Sequence, residues 1–153
     1  MQDFFEYVNI LKRKIKVNKN KVVFVCIGTK DVIGDSIGPM VGSYLKCKIG
    51  SKNVVGDIEN NICSKSDLIY YYPRIKNKFI IAIDSALSTR DIEGEIFISE
   101  KPLVMGLGIN DNKGIIGDIS IKAGISDINI RNEKYIKKMS NIIGKGIYYW
   151  YKN

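Results

Sequence analysis

The apolar and polar positions along this chain follow two periods, which predicts a protein of alternating strands and helices. Val22–Ile27 and Phe79–Ile83 are continuous apolar runs of the length typical of buried strands. Apolar side chains recur at helical spacing from Phe4 to about residue 16, and lysines take the other positions. This pattern predicts an N-terminal amphipathic helix within residues 1–20. A similar pattern predicts a closing helix over residues 132–149.

Weaker patterns complete the alternation. A helix is predicted from about Pro39 to about Lys46, after a glycine-containing loop. A further helix is predicted from Ser64 or Ser66 to about Ile75, with Pro73 as its break. The remaining predicted strands are Asn53–Val55, Gly94–Ser99 and Gly117–Ile121, and the glycine-rich stretch Leu103–Gly117 is predicted to be irregular. This order favours an α/β fold with a largely parallel sheet and helices on both faces.

Composition places the chain among ordinary globular proteins. Its 153 residues, without a repeat or linker, predict a single domain over residues 1–153. No apolar run approaches the roughly 18 residues that span a bilayer, so we expect a soluble, cytoplasmic protein with no membrane partner. The net charge is +8, but the basic residues are mostly lysines spread along the chain. We therefore expect no nucleic-acid partner.

The chain has no histidine, which narrows the possible chemistry. Serine–histidine and cysteine–histidine catalysis are excluded, and the commonest metal ligand is missing. Cys26, Cys47 and Cys63 lack the spacing of a metal site and are expected to be reduced thiols. Acid–base chemistry would fall to carboxylates, lysine, tyrosine or cysteine.

Two aspartates follow the two clearest strands. Val22–Ile27 leads into a loop that contains Asp35, and Phe79–Ile83 is predicted to end directly before Asp84. Ligands of open α/β sheets bind at the carboxyl ends of the strands, so we expect these side chains to converge there. Two close carboxylates cannot both ionise easily, so the pKa of one rises and the pair shares a proton. Such a pair can activate water against a peptide carbonyl.

Structural roles remain open for the same residues. Asp35 precedes a predicted helix and is suited to cap it together with Ser36, while Asp84 is suited to end its strand or cap the next segment. Lys30 and Lys122 fit solvated surface positions, although either is suited to lower the pKa of a carboxyl or to bind substrate.

Four sequence blocks follow one another along the chain, and they are Val25–Gly42, Phe79–Leu87, Pro102–Ile109 and Gly117–Ile121. In this order they resemble the YyaC family of sporulation proteins from endospore-forming bacteria, and the resemblance extends from residue 22 to about residue 147. That family is similar to the germination protease, which degrades small acid-soluble spore proteins, and to the hydrogenase-maturation endopeptidases. The implied fold is a three-layer α/β/α sandwich around a mixed, largely parallel sheet.

The resemblance also implies roles for particular residues. Asp35 falls where the germination protease has one of two functional aspartates and where the hydrogenase endopeptidases have an acidic metal ligand, and Asp84 falls at the second acidic position of both. The nickel-binding histidine of those endopeptidases has no counterpart, so nickel sensing does not transfer. Members of the family have a histidine near the position of Cys63, and Met105 replaces a proline of their glycine loop.

These inferences together predict a sporulation-associated peptidase that cleaves a protein or peptide with the catalytic pair Asp35 and Asp84, without a cofactor. Backbone amides of the glycine loops are expected to bind substrate or stabilise an oxyanion. The residues assigned to these loops are Gly28, Thr29, Gly34, Ser85, Gly106 and Gly108. We expect the protein in the sporulating cell or forespore, with a second copy of itself as a possible partner. Two alternatives stay open, a non-catalytic binding protein of the developing spore and a divalent-metal hydrolase with Asp35 and Asp84 as ligands.

Overall fold

The computed structural model describes residues 3–105 and 115–153, and a five-stranded sheet lies at its centre. The strands are β1 (Val22–Cys26), β2 (Val54–Val55), β3 (Phe79–Leu87), β4 (Ile96–Ser99), β5 (Leu103–Val104), β6 (Ile115–Ile116) and β7 (Ile119–Ile125). The sheet has the order β2-β1-β3-β7-β4. Its first four strands are parallel and β4 pairs antiparallel with β7, while β5 and β6 form a separate antiparallel ribbon.

Helices cover both faces of this sheet. The helices are α1 (Phe4–Lys14), α2 (Ile37–Ile49), α3 (Lys65–Ile69), α4 (Tyr72–Ile75) and α5 (Glu133–Lys152), with short 3₁₀ turns at Lys19–Lys21, Ile33–Asp35 and Arg90–Ile92. One core joins α1, α2 and α5 to one face of the sheet, and a second core joins α3, α4 and the β5–β6 ribbon to the other face. The protein is therefore a three-layer α/β/α sandwich, as predicted.

The continuous apolar sequence of β1 follows from its position between β2 and β3. All five of its residues are buried, because alternate side chains enter the two cores. Helix α2 lies unusually close to this strand. A Cβ on Gly38 would lie 1.9 Å from the carbonyl oxygen of Ile27, so only glycine permits the approach. This close packing fixes the loop between β1 and α2, which contains Asp35.

Several predicted boundaries were wrong, and the errors have physical causes. β3 does not end before Asp84 but continues to Leu87, because β7 extends beside it from Ile119 to Ile125. The predicted helix from Ser64 or Ser66 to Ile75 is two short helices, α3 and α4, since Pro73 cannot continue a helix from the preceding turn. The stretch 103–117, predicted to be irregular, contributes β5 and β6 at its ends.

Candidate active site

Asp35 is held against the loop that follows β1. The backbone amide of Thr29 donates to both the carbonyl oxygen of Asp35, at 3.0 Å, and its carboxylate Oδ2, at 3.2 Å. Gly28 makes this fold-back possible, because it has a φ of +134° and a Cβ there would lie 2.1 Å from the Asp35 carbonyl oxygen. The N-cap position of α2 belongs to Ser36, whose hydroxyl donates to the Ile33 carbonyl and makes no capping bond.

Asp84 lies inside β3, at the level where β1 ends. The last contact between the two strands is the hydrogen bond from the Ile27 amide to the Ile83 carbonyl, at 2.8 Å. Beyond this point β3 continues with only β7 as a strand neighbour among the described residues. Asp84 is therefore the first residue of β3 beyond its pairing with β1. Its carboxylate Oδ1 accepts the Ser85 amide at 2.7 Å.

The structure brings the two aspartates close enough to interact electrostatically. The 3₁₀ turn Ile33–Asp35 packs against β3. The pKa of Asp84 is raised to about 8, mainly by burial and then by the negative charge of Asp35, while the Ser85 amide and the charge of Lys122 act in the opposite direction. Asp84 therefore retains a proton near neutral pH, which is the behaviour expected of one member of a shared-proton pair. A catalytic role for either residue remains a prediction.

Backbone amides in the loop after β1 are already engaged. The Gly28 amide donates to the carbonyl of Ile62 at 2.8 Å, and the Lys30 amide donates to Asn61 Oδ1 at 3.0 Å. With the Thr29 amide bonded to Asp35, three successive amides make hydrogen bonds within the protein. An oxyanion role for Gly28 or Thr29 would require the exchange of one of these bonds, and it remains a prediction.

The other residues assigned to the substrate loops have different surroundings. A Cβ on Gly34 would lie 2.5 Å from the Ile130 side chain, so this glycine allows close packing of the turn before α2. The Ser85 amide is occupied by the Asp84 carboxylate. Gly106 and Gly108 lie outside the described residues, and their predicted role is untested.

Lys122 lies beside Asp84 and lowers the pKa of its carboxyl, which was the predicted alternative to a solvated surface position. It is the register partner of Asp84 across the parallel β3–β7 ladder. The predicted strand stopped at Ile121, which left Lys122 outside the sheet. The alternation of Ile119, Ile121, Ala123 and Ile125 continues beyond that boundary and was the available signal.

The described residues give little support to a metal site. They contain no group of three His, Cys, Asp or Glu side chains arranged to hold a metal ion. Asp35 and Asp84 alone provide few ligands for a hard cation, which prefers six or more oxygens. A metal role would therefore depend on ligands beyond these two carboxylates.

No described helix has the length and apolar character that crossing a membrane requires.

The fold defines a class of protein that includes a known protease. The crystal structure of the NiFe hydrogenase maturation protease HycI from Thermococcus kodakarensis KOD1 matches with a TM-score of 0.65 and covers 94% of this chain and 99% of that one. At 14% sequence identity this similarity shows the fold alone.

Sequence comparison identifies the family. A family model described as a protein of unknown function, DUF1256, matches residues 1–145, and the chain belongs to this family. The uncharacterized protein YyaC of Bacillus subtilis (strain 168) is 29% identical over 139 residues, which cover 82% of this chain and 67% of that protein. The predicted similarity to the YyaC family is thus confirmed, while the link to the germination protease remains a prediction.

Proposed function

We propose that this protein is a peptidase in which Asp35 and Asp84 activate a water molecule. The observation that supports the proposal most strongly is the electrostatic coupling of the two carboxyl groups at the end of β1, where the pKa of Asp84 is raised to about 8. An acid–base pair needs one carboxyl that retains its proton at working pH and one that accepts a proton. The chain has no histidine to take either role.

In this mechanism Asp84 is the acid and Asp35 is the base. Asp35 accepts a proton from water as the water oxygen bonds to the carbonyl carbon of the substrate. Asp84 then gives its proton to the amide nitrogen as the carbon–nitrogen bond breaks. Transfer of the proton from Asp35 to Asp84 restores the pair, and the net reaction consumes one water and yields an acid and an amine.

The substrate class and setting follow from similarity rather than from the site. The fold is shared with a maturation protease, which favours a protein or peptide substrate. Similarity to YyaC and to the sporulation family implied by the sequence blocks favours a role in the sporulating cell or forespore.

A non-catalytic binding protein of the developing spore is the second candidate. The engaged amides of Gly28, Thr29 and Lys30 favour it, because they leave this loop without a preformed oxyanion hole. A divalent-metal hydrolase ranks third, since the described residues supply too few ligands.

Cleavage assays separate these candidates. Wild type, Asp35→Asn, Asp84→Asn and Asp31→Asn are incubated with spore-protein extract, and loss of substrate bands is followed by electrophoresis. Asp31 is a matched control because it is an exposed acid of the same loop. We expect cleavage by wild type and Asp31→Asn and none by the other two variants. Cleavage that persists in Asp35→Asn would disprove the mechanism. If none of the four proteins, wild type included, cleaves the extract, the binding protein is favoured. Loss of wild-type cleavage on addition of a chelator would favour the metal hydrolase.

A further inference from the structure

Lys122 shares a row of the sheet with Asp84. The two residues are paired across the β3–β7 ladder, and Lys122 is also paired with Phe97 across the β7–β4 ladder. Residues directly opposite each other on neighbouring strands point to the same face, and the strands lie about 4.8 Å apart. The half-buried Lys122 side chain therefore extends from the same face as the Asp84 carboxyl.

The ammonium group acts on Asp84 without forming a direct ion pair with it. Within residues 3–105 and 115–153, the ion pairs are Lys46–Asp57 and Arg90–Asp127. The positive charge of Lys122 nevertheless lowers the pKa of Asp84, against the effects of burial and of Asp35. The charge of Lys122 therefore acts on the carboxyl without an ion pair between the two, and an ammonium group has three hydrogen-bond donors.

The proposed hydrolysis needs donors that stabilise the oxyanion. Addition of water to a peptide carbonyl places negative charge on the carbonyl oxygen, and preorganised donors that stabilise this charge contribute strongly to catalysis. The amides of Gly28, Thr29 and Lys30 are occupied by bonds within the protein. Lys122 is the cation that acts on Asp84.

We infer that Lys122 binds the carbonyl oxygen of the scissile peptide and stabilises the oxyanion formed when water adds to it. This inference rests on the proposed peptidase function and adds to it a donor that the amides of Gly28, Thr29 and Lys30 do not provide. The lysine would hold the carbonyl between its ammonium and the carboxyl pair, so that Asp84 faces the leaving nitrogen.

The first test is cleavage of spore-protein extract by Lys122→Met, Lys122→Arg and Lys137→Met. Lys137 is the control because it is an exposed lysine of α5, outside the loops of the site. We expect Lys122→Met to lose at least about 100-fold in kcat/KM, Lys122→Arg to retain most activity, and Lys137→Met to match wild type. Full activity of Lys122→Met beside an inactive Asp35→Asn would overturn the inference and leave the peptidase proposal intact. An inactive wild type would refute both.

The second test does not depend on activity. The titration of the Asp84 carboxyl is followed by carbon-13 NMR in wild type, Lys122→Met and the control Lys137→Met. The charged groups that act on this carboxyl are Asp35 and Lys122. We expect the midpoint to rise in Lys122→Met and to stay at its wild-type value in Lys137→Met. An unchanged midpoint in Lys122→Met would place its ammonium too far from the pair and overturn the inference.

Discussion

Replacement of Asp84 by asparagine should stabilise this protein at neutral and alkaline pH. Burial and the charge of Asp35 raise the pKa of Asp84 from 3.8 to about 8 in the folded state. In the unfolded chain the side chain loses its proton near pH 4, but the folded protein retains the proton until about pH 8. The folded state therefore binds more protons across this window, and the free energy of unfolding falls as the pH rises through it. Asparagine has no proton to lose, and its Oδ1 can still accept the Ser85 amide.

The size of the effect follows from the width of the window. One pKa unit corresponds to about 1.4 kcal/mol, so the rise of the pKa from 3.8 to about 8 gives at most about 6 kcal/mol at pH 8. The Asp84 side chain is half-buried, and solvent reduces this value. We expect Asp84→Asn to raise the free energy of unfolding by about 2 kcal/mol at pH 8 and by less than about 1 kcal/mol at pH 5.

Urea unfolding at pH 5, 6.5 and 8 measures this difference. Asp31→Asn serves as the control, because Asp31 is an exposed acid of the neighbouring loop. We expect the free energy of unfolding of wild type and of Asp31→Asn to fall, relative to that of Asp84→Asn, as the pH rises. Parallel pH profiles for wild type and Asp84→Asn would refute the assigned burial and coupling of this carboxyl.

Two further substitutions test the structure around the site and its supporting core. Gly28→Ala should lower the free energy of unfolding by about 3 kcal/mol in urea, because its Cβ would lie 2.1 Å from the Asp35 carbonyl oxygen. Gly50 also has a positive φ, but a Cβ there would meet open space, so Gly50→Ala should lower the free energy of unfolding by only about 1 kcal/mol. Equal losses of stability in the two variants would argue against the close contact between Gly28 and Asp35. Tyr7→Phe should cost about 1 kcal/mol in thermal unfolding, since the buried hydroxyl donates to the Ile143 carbonyl at 3.1 Å, and no loss would show that this bond contributes nothing.

Local patterns predicted the parts of the fold that depend on neighbouring residues. The apolar runs of β1 and β3 were placed correctly because strands buried on both faces need continuous apolar sequence. The rule that ligands bind at the carboxyl ends of parallel strands predicted that Asp35 and Asp84 lie close together. The charge of Asp35 does act on Asp84, but Asp84 lies inside β3, at the level where β1 ends, and not at the end of its own strand. The extra length of β3 was missed, because it depends on pairing with a strand more than thirty residues away.

Other contacts between distant segments could not be predicted from the sequence for the same reason. The Gly28 and Lys30 amides donate hydrogen bonds to Ile62 and Asn61, which a separate segment brings beside the loop. The neighbourhood of Lys122 depends on strand register, and a one-residue shift would move its side chain to the other face. Periodicity reports which face a residue occupies but not which residue lies opposite.

The most direct test of the central claim is the carboxyl titration of Asp84 in wild type and in Asp35→Asn. The claim is that the two aspartates share one crevice and influence each other's ionisation. We predict a wild-type midpoint of about 8 and a clearly lower midpoint in Asp35→Asn, since removal of the neighbouring negative charge favours the ionised form. A midpoint near the ordinary aspartate value of about 4 in both proteins would contradict the account.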